Sequence, residues 1–333
     1  MKQTNNSREK MAEQVQKLLE ERGRKALEMA RETILQEKIE CEEVREALDY
    51  FITQYWQDTF RPALLSLCCE AVGGDPDATN PIAIPLSLIS GGVDIHDDII
   101  DRSKIKEGRP TVYGKFGEKI ALLVGDALIF KGFILLCKTK FHLAEKMLKI
   151  MDVVKNTFFE LGESEALELG FRGRLDVTPK EYLSMVKMRA TTVEAHTRIG
   201  AVIGDGTETE IEALSEYGKT LGMLLIIRDD FVDMFEKEEL LHRIDYECLP
   251  LPFLYAFQNQ SIKKEIVPML KNKTTFDLTT ILETILKSNE VKSLRKTISS
   301  MVKNGILPLS KLEIRGPAYK KLQMLILATK EDL

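Results

Sequence analysis

The chain has 333 residues, of which 44% are apolar and 30% are charged, and its formal net charge is −5. This composition is typical of a soluble globular protein with enough apolar material for a large core. The chain is acidic and has no lysine- or arginine-rich block, which argues against a nucleic-acid partner. No linker rich in proline, glycine or serine divides it, so we expect a single domain over residues 1–333.

The first 30 residues are charged and have a helical pattern, without the apolar stretch of a signal peptide, so we expect a cytoplasmic protein. The most apolar segment, residues 121–137, is interrupted by Asp126 and Lys131. We therefore expect it to fall short of a membrane span, which leaves peripheral membrane contact open. Five cysteines without ligand-like spacing predict neither a disulfide framework nor a zinc site.

Apolar residues recur at spacings of three and four along almost the whole chain, which predicts helices. Alternation of the kind found in strands is scarce. Thr178, Pro179 and Glu181 form a helix-start pattern with a capping box. Glycine- and proline-rich turn signals separate the helical segments at residues 73–77, 108–110, 177–179, 204–206 and 249–252. The predicted fold class is all-α.

Two acidic clusters with the same internal spacing lie in apolar sequence. The first cluster is Asp97, Asp98 and Asp101, and the second is Asp229, Asp230 and Asp233. Positions i and i+4 share a helix face, so each cluster projects two carboxylates one turn apart. Such charge needs neutralising, and Mg²⁺ commonly takes one or two carboxylates together with substrate phosphates. The clusters therefore predict a site for Mg²⁺ and a phosphorylated ligand, although a solvated acidic face is the alternative for either cluster alone.

These motifs resemble those of the trans-polyprenyl diphosphate synthases, which have the class I isoprenoid synthase fold. The resemblance covers about residues 40 to 260 and rests on four segments in order, 96–101, 108–111, 125–126 and 229–233. It implies a large antiparallel helical bundle around a central cavity, usually a homodimer. It also implies three Mg²⁺ ions held at the mouth of the cavity, where the two aspartate clusters face each other.

The resemblance implies the chemistry as well. The metals would hold the diphosphate of an allylic isoprenoid substrate and stabilise the negative charge that grows as the C–O bond breaks. Prenyl transfer to isopentenyl diphosphate would follow, as in isoprenoid chain elongation. All six aspartates would act as metal-binding catalytic residues. The residues implied in substrate binding are Arg61, Lys106, Arg189, Thr191, Asp126 and Asp176.

Departures from the family pattern concentrate where isopentenyl diphosphate should bind. Asp58 and Thr59 replace a lysine and an arginine, and Glu107 replaces another arginine. Ser90 stands where a histidine is expected. Each charge-assisted contact is worth about 1.5–3 kcal/mol, so this second substrate is expected to bind poorly unless other residues compensate. Arg61 is the cation of that segment that remains.

Gly92 and Val93 stand five and four positions before Asp97, where members of the family that make short products often carry aromatic residues. Small residues there predict an open cavity and a product of C20 or longer. The alternative is that glycine serves helix packing.

Two other functions stay open. The chain could be a class I terpene cyclase or a prenyltransferase with an acceptor other than isopentenyl diphosphate. It could also be a non-catalytic subunit of a hetero-oligomeric prenyl synthase.

Overall fold

The computed structural model describes residues 2–106, 108–139, 144–271, 277–314 and 316–330. Most of this described chain is helical and its strands are confined to one short hairpin, which confirms the all-α prediction. In chain order the α-helices are α1 (Lys2–Leu35), α2 (Glu42–Tyr50), α3 (Phe60–Ala71), α4 (Asn80–Ile100), α5 (Val112–Phe116), α6 (Glu118–Lys138), α7 (Ala144–Leu169), α8 (Pro179–Arg189), α9 (Thr191–Ile203), α10 (Glu208–Asp233), α11 (Lys237–Tyr246), α12 (Leu251–Ala256), α13 (Gln260–Lys271), α14 (Leu278–Lys287), α15 (Asn289–Ile306) and α16 (Pro317–Ala328).

The described chain also contains short elements of other kinds. A π-helix covers Phe51–Tyr55, and 3-10 helices cover Pro76–Thr79 and Leu307–Lys311. The strands β1 (Ile105–Lys106) and β2 (Arg109–Pro110) pair in an antiparallel hairpin.

Backbone contacts group the chain into two compact units. The N-terminal unit comprises Glu13–Lys149 and Ile199–Gly206, and the C-terminal unit comprises Met1–Ala12, Ile150–Arg198 and Thr207–Leu333. The first aspartate cluster therefore belongs to the N-terminal unit and the second cluster to the C-terminal unit. The expectation of one domain over residues 1–333 stays a prediction.

Glycines set the packing of α4 against α6 in the N-terminal unit. A Cβ added to Gly92 would lie 2.5 Å from the carbonyl oxygen of Gly125, and one added to Gly132 would lie 2.7 Å from that of Pro85. These separations are too short for any larger residue unless the backbone shifts. The small size of Gly92 therefore has a structural reason, namely the close approach of α6 to the helix that carries the first cluster. The roles of Gly92 and Val93 in setting pocket depth stay a prediction.

Helix α6 is long and apolar enough to cross a membrane, so the expectation that this segment falls short of a span is wrong as regards length and composition. In the structure, 33% of its most apolar window is buried. Its internal charges have partners, because Asp126 lies 3.4 Å from the His96 ring and Lys131 forms an ion pair with Glu37. These contacts and the close glycine packing against α4 hold α6 within the N-terminal unit.

The β1–β2 hairpin follows the first cluster directly and determines where Lys106 lies. Lys106 pairs with Arg109 across the hairpin, and Gly108 has a φ of +70°, a conformation that glycine adopts without strain. The Thr111 hydroxyl donates to the carbonyl oxygen of Ser103 at 2.7 Å and so ties the end of the hairpin back to the segment after α4.

In the C-terminal unit, helix starts follow local sequence rules. Thr178 and Glu181 form the predicted capping box of α8, which is confirmed. Thr207 and Glu210 form a second capping box at the start of α10. Helix α10 then runs without interruption to Asp233, so its last turns present the second aspartate cluster.

Candidate active site

The first aspartate cluster lies at the C-terminal end of α4. Asp97 and Asp98 belong to its last turn, and Asp101 is the residue that follows the helix, with its N–H donating to the carbonyl oxygen of Asp97 at 2.9 Å. Asp98 is 3% exposed and Asp101 is 6% exposed, whereas 24% of the Asp97 side chain is accessible. Asp97 is therefore the carboxylate of this cluster that solvent reaches most easily.

Lys106 supplies a positive charge to this cluster. Its ammonium nitrogen lies 2.8 Å from Oδ1 of Asp98 and 3.5 Å from Oδ2 of Asp97. Burial disfavours the charged lysine, but these carboxylates outweigh it and raise the pKa of Lys106. Burial also raises the pKa of Asp98 to about 6, although Lys106 acts in the opposite direction. The predicted substrate-binding lysine is thus engaged by the cluster itself.

The second cluster, at the end of α10, contains a fully buried carboxylate. Asp230 is 1% exposed and accepts hydrogen bonds from the Tyr182 hydroxyl at 2.8 Å and from the N–H of Leu251 at 3.2 Å. A nitrogen of the Arg243 guanidinium lies 2.7 Å from the same carboxylate. Burial raises the pKa of Asp230, with Arg243 opposing that shift. These three donors offset the cost of burying the Asp230 carboxylate.

Arg243, on α11, binds more than one carboxylate. Its Nη1 donates to Asp233 at 3.0 Å, its Nε lies 3.5 Å from Glu247, and its side chain is buried. Burial raises the pKa of Asp233 to about 7 despite Arg243. Asp229 differs from Asp230 and Asp233, because its side chain is 56% exposed and bonds Arg228 at 2.9 Å.

The two clusters share one arrangement. The second aspartate of each, Asp98 or Asp230, is buried against a cation from a later segment, whereas the first, Asp97 or Asp229, is more accessible. Neither Arg243 nor its partner Tyr182 was among the residues predicted for the site. The signal in the sequence was a basic residue ten positions after Asp233.

Arg61, on α3, is held by two carboxylates. Its Nη1 and Nη2 each donate to one oxygen of Asp94 at 3.0 Å, and Nη1 also donates to Asp58 at 2.8 Å. Burial disfavours its charge, but Asp94 and Asp58 outweigh burial and raise the pKa of Arg61. The sequence analysis missed Asp94, although it stands one helical turn before Asp97 on the same helix.

Arg189, at the end of α8, forms ion pairs with Glu168 and, at 3.3 Å, with Glu165. Both glutamates lie on α7 at helical spacing, a signal that the sequence analysis did not use. The side chain of Asp176, which the resemblance placed with the substrate-binding residues, is 71% exposed and pairs with Arg174, and its role in substrate binding stays a prediction. The structure thus brings Glu165 and Glu168, and not Asp176, to Arg189.

The remaining predicted residues have varied surroundings. Thr191 is buried at the start of α9, and Ser90 is half-buried on α4. Asp126, on α6, lies beside His96 of α4. Thr59 immediately precedes α3 and makes no side-chain cap to that helix. Glu107 lies outside the described residues.

The donor atoms of the two clusters suit a hard divalent cation. Within the described residues, no group of three or more His, Cys, Asp and Glu side chains gathers to hold a metal ion. Each cluster does offer carboxylates four residues apart at a helix end. Mg²⁺ commonly takes only one or two protein carboxylates and completes its shell with water and substrate phosphates. The residues therefore fit Mg²⁺ in the type and number of ligands per cluster.

The chain is all-α, and two of its helices end in paired aspartates beside cations. The family model described as polyprenyl synthetase matches residues 41–285, so the chain belongs to the polyprenyl synthetase family. The predictions of family, fold and prenyltransferase activity are confirmed. Isoprenoid biosynthesis is the process to which this family contributes.

Similar proteins were found in archaea. The chain is 38% identical over 221 residues to a short chain isoprenyl diphosphate synthase of Methanothermobacter thermautotrophicus, covering 66% of this chain and 67% of that protein. It is 40% identical over 185 residues to a geranylgeranyl diphosphate synthase of Methanosarcina mazei, covering 55% of this chain and 57% of that protein. The chain thus matches the second relative over little more than half of its length.

Solved structures support the fold. A geranylgeranyl pyrophosphate synthetase from Pyrococcus horikoshii superposes with a TM-score of 0.83, covering 94% of this chain and 98% of that chain at 24% identity. A decaprenyl diphosphate synthase from Rhodobacter capsulatus gives a TM-score of 0.77 and covers 97% of this chain and 98% of that chain, at 22% identity. At these identities the likeness establishes the shared fold.

Proposed function

We propose that this chain ionises an allylic isoprenoid diphosphate in a Mg²⁺-dependent reaction and transfers the prenyl group to isopentenyl diphosphate. The observation that carries the proposal is the pair of aspartate clusters, each at a helix end and each held by its own cation. Family membership supports the reaction type. The relatives named geranylgeranyl diphosphate synthases support a product of C20 or longer.

The first and third carboxylates of each cluster are the best candidates for metal ligands in this proposal, because they stand one helical turn apart. Asp97 and Asp101 would bind Mg²⁺ at the end of α4, and Asp229 and Asp233 would bind it at the end of α10, with three ions in all as the resemblance implies. Bound there, Mg²⁺ would neutralise the diphosphate and stabilise the charge that develops on it as the C–O bond breaks.

The other charged residues would support this site. Asp98 and Asp230 are the most deeply buried carboxylates of their clusters and lie closest to Lys106 and Arg243, so their task would be to hold these helix ends in place. Arg189, oriented by Glu165 and Glu168, would contribute a positive charge to the diphosphate. Thr191, Asp126 and Asp176 stay candidates for substrate contact.

A second candidate is a terpene cyclase, or a prenyltransferase with an acceptor other than isopentenyl diphosphate. One observation favours it, namely that Asp58 and Asp94 neutralise Arg61, the cation expected to bind the second diphosphate. An acceptor without a diphosphate would not need that arginine.

One set of assays separates these functions. The protein is incubated with Mg²⁺ and C10, C15 or C20 allylic diphosphate, with and without isopentenyl diphosphate, and the products are analysed as diphosphates, alcohols and hydrocarbons. We expect longer diphosphates to form only when isopentenyl diphosphate is present. Hydrocarbon or alcohol from the allylic substrate alone would favour the second candidate. No turnover until a related synthase is added would indicate a non-catalytic subunit.

We also propose that the chain acts in the cytoplasm as a homodimer. Leu122, Phe130 and Ile134 are exposed at spacings of four or eight residues on α6, so they form an apolar stripe that a second copy could cover. Sedimentation equilibrium should give twice the mass of the chain, and Phe130→Asp should shift the protein towards monomer. A wild-type monomer at micromolar concentration would contradict this part of the proposal.

A further inference from the structure

An ion-pair cluster of Asp58, Arg61 and Asp94 lies beside the first aspartate cluster. Asp94 stands three residues before Asp97 on α4, so both project from the same side of the helix. Arg61 reaches it from the first turn of α3. Arg61 therefore lies next to the end of α4 where the first cluster begins.

The guanidinium of Arg61 binds the Asp94 carboxylate with the same pair of donors that it would use to bind a diphosphate. Two parallel hydrogen bonds of 3.0 Å join it to the two oxygens of Asp94, and a bond of 2.8 Å joins it to Asp58. Arginine binds carboxylates and phosphates with the same planar pair of N–H donors. The Asp94 carboxylate and a diphosphate would therefore compete for the guanidinium of Arg61. An incoming diphosphate would have to displace Asp94.

The charges around Arg61 also oppose a second anion. Asp58, Arg61 and Asp94 together carry a formal charge of −1. The neighbouring Lys106 does not compensate, because its ammonium is bound by Asp98 and Asp97. A displaced Asp94 carboxylate would remain close to the diphosphate and repel it. Like charges placed this close together weaken binding.

We infer that Asp94, together with Asp58, is a specificity-determining residue that competes with the acceptor diphosphate for Arg61. The inference rests on the proposed function and on the resemblance, which implies that Arg61 contacts the acceptor. It predicts weak binding of isopentenyl diphosphate as a property of the folded site, beyond the loss of cations at positions 58, 59 and 107. It leaves binding of the allylic diphosphate unaffected.

Asparagine variants test the competition because they keep the shape of each side chain and remove its charge. Asp58 accepts the backbone N–H groups of Phe60 and Arg61 through Oδ1, and the asparagine oxygen can do the same. Binding of isopentenyl diphosphate is measured by calorimetry in Mg²⁺ without an allylic substrate, for wild type, Asp94→Asn and the double variant with Asp58→Asn. We expect the double variant to bind at least about tenfold more tightly than wild type.

Two further variants make the result specific. Arg61→Gln in the double-variant background should remove the gain in affinity, since the gain depends on a released guanidinium. Asp152→Asn, an exposed aspartate paired with Lys155, should leave the affinity of wild type unchanged and controls for overall charge. Unchanged or weaker binding in the folded double variant would overturn the inference, as would a gain that survives Arg61→Gln.

Failure of the proposed function would be seen separately. Diphosphate release from the allylic substrate at saturating isopentenyl diphosphate is measured on wild type and on the same variants, and its absence in all of them would count against the proposed function itself. Where the chain is active in elongation, the KM for isopentenyl diphosphate should fall in the double variant while the KM for the allylic substrate stays constant. A parallel change of both constants would count against a role in acceptor specificity.

Discussion

Replacing Asp97 by asparagine is expected to lower Mg²⁺-dependent diphosphate release from an allylic substrate by about 10²–10³-fold, the usual effect of losing one preorganised electrostatic contact in an active site. Asp97 is the most accessible carboxylate of the first cluster and stands one turn from Asp101. Asparagine keeps its size but removes the negative charge that would bind the metal. The measurement is kcat/KM for diphosphate release across a range of Mg²⁺ concentrations.

The control for this variant is Asp49→Asn, an exposed aspartate in the same unit of the chain. It removes the same charge without touching the cluster, so its activity should match wild type. The Asp97 variant should also need more Mg²⁺ for half-maximal activity, because a ligand has been lost. A variant as active as wild type, with the same Mg²⁺ dependence, would refute the assignment of the first cluster to metal binding.

Replacing Arg243 by methionine is expected to cost about 3–5 kcal/mol of the free energy of unfolding, since removing one partner of a buried ion pair leaves an uncompensated charge. Asp230 is the most buried of the carboxylates that lose this partner, and it would keep the Tyr182 hydroxyl and the Leu251 N–H as donors. Methionine fills similar space without a charge. Urea unfolding followed by circular dichroism measures the loss.

Arg174→Met is the matched control for this variant. Arg174 and Asp176 form an exposed ion pair in the same unit, and exposed pairs contribute about 0–1 kcal/mol, so this change should be nearly neutral. Adding Asp230→Asn to Arg243→Met should recover part of the lost stability, because it removes the unpaired charge. Equal losses for Arg243→Met and Arg174→Met would contradict a structural role for the buried pair.

Local patterns predicted most of the elements correctly. The helical periodicity, the turn signals and the capping box at Thr178 and Glu181 depend on residues within a few positions of one another, and the structure agrees with them. The spacing of the aspartates predicts carboxylates one helical turn apart, and the structure adds that they lie at the ends of α4 and α10. The packing role of Gly92 could not be predicted from local sequence, because its contact with Gly125 depends on the approach of another helix.

Charge partners could not be predicted in this way. Asp94 is 33 residues from Arg61, and Tyr182 is 48 residues from Asp230. The sequence alone determined that the chain is helical, that it carries two acidic clusters and that it resembles the polyprenyl synthases. Only the tertiary structure decided which cation neutralises which carboxylate. An ion pair forms wherever packing brings two groups within a few ångströms, and that separation is set by how helices cross and not by distance along the chain.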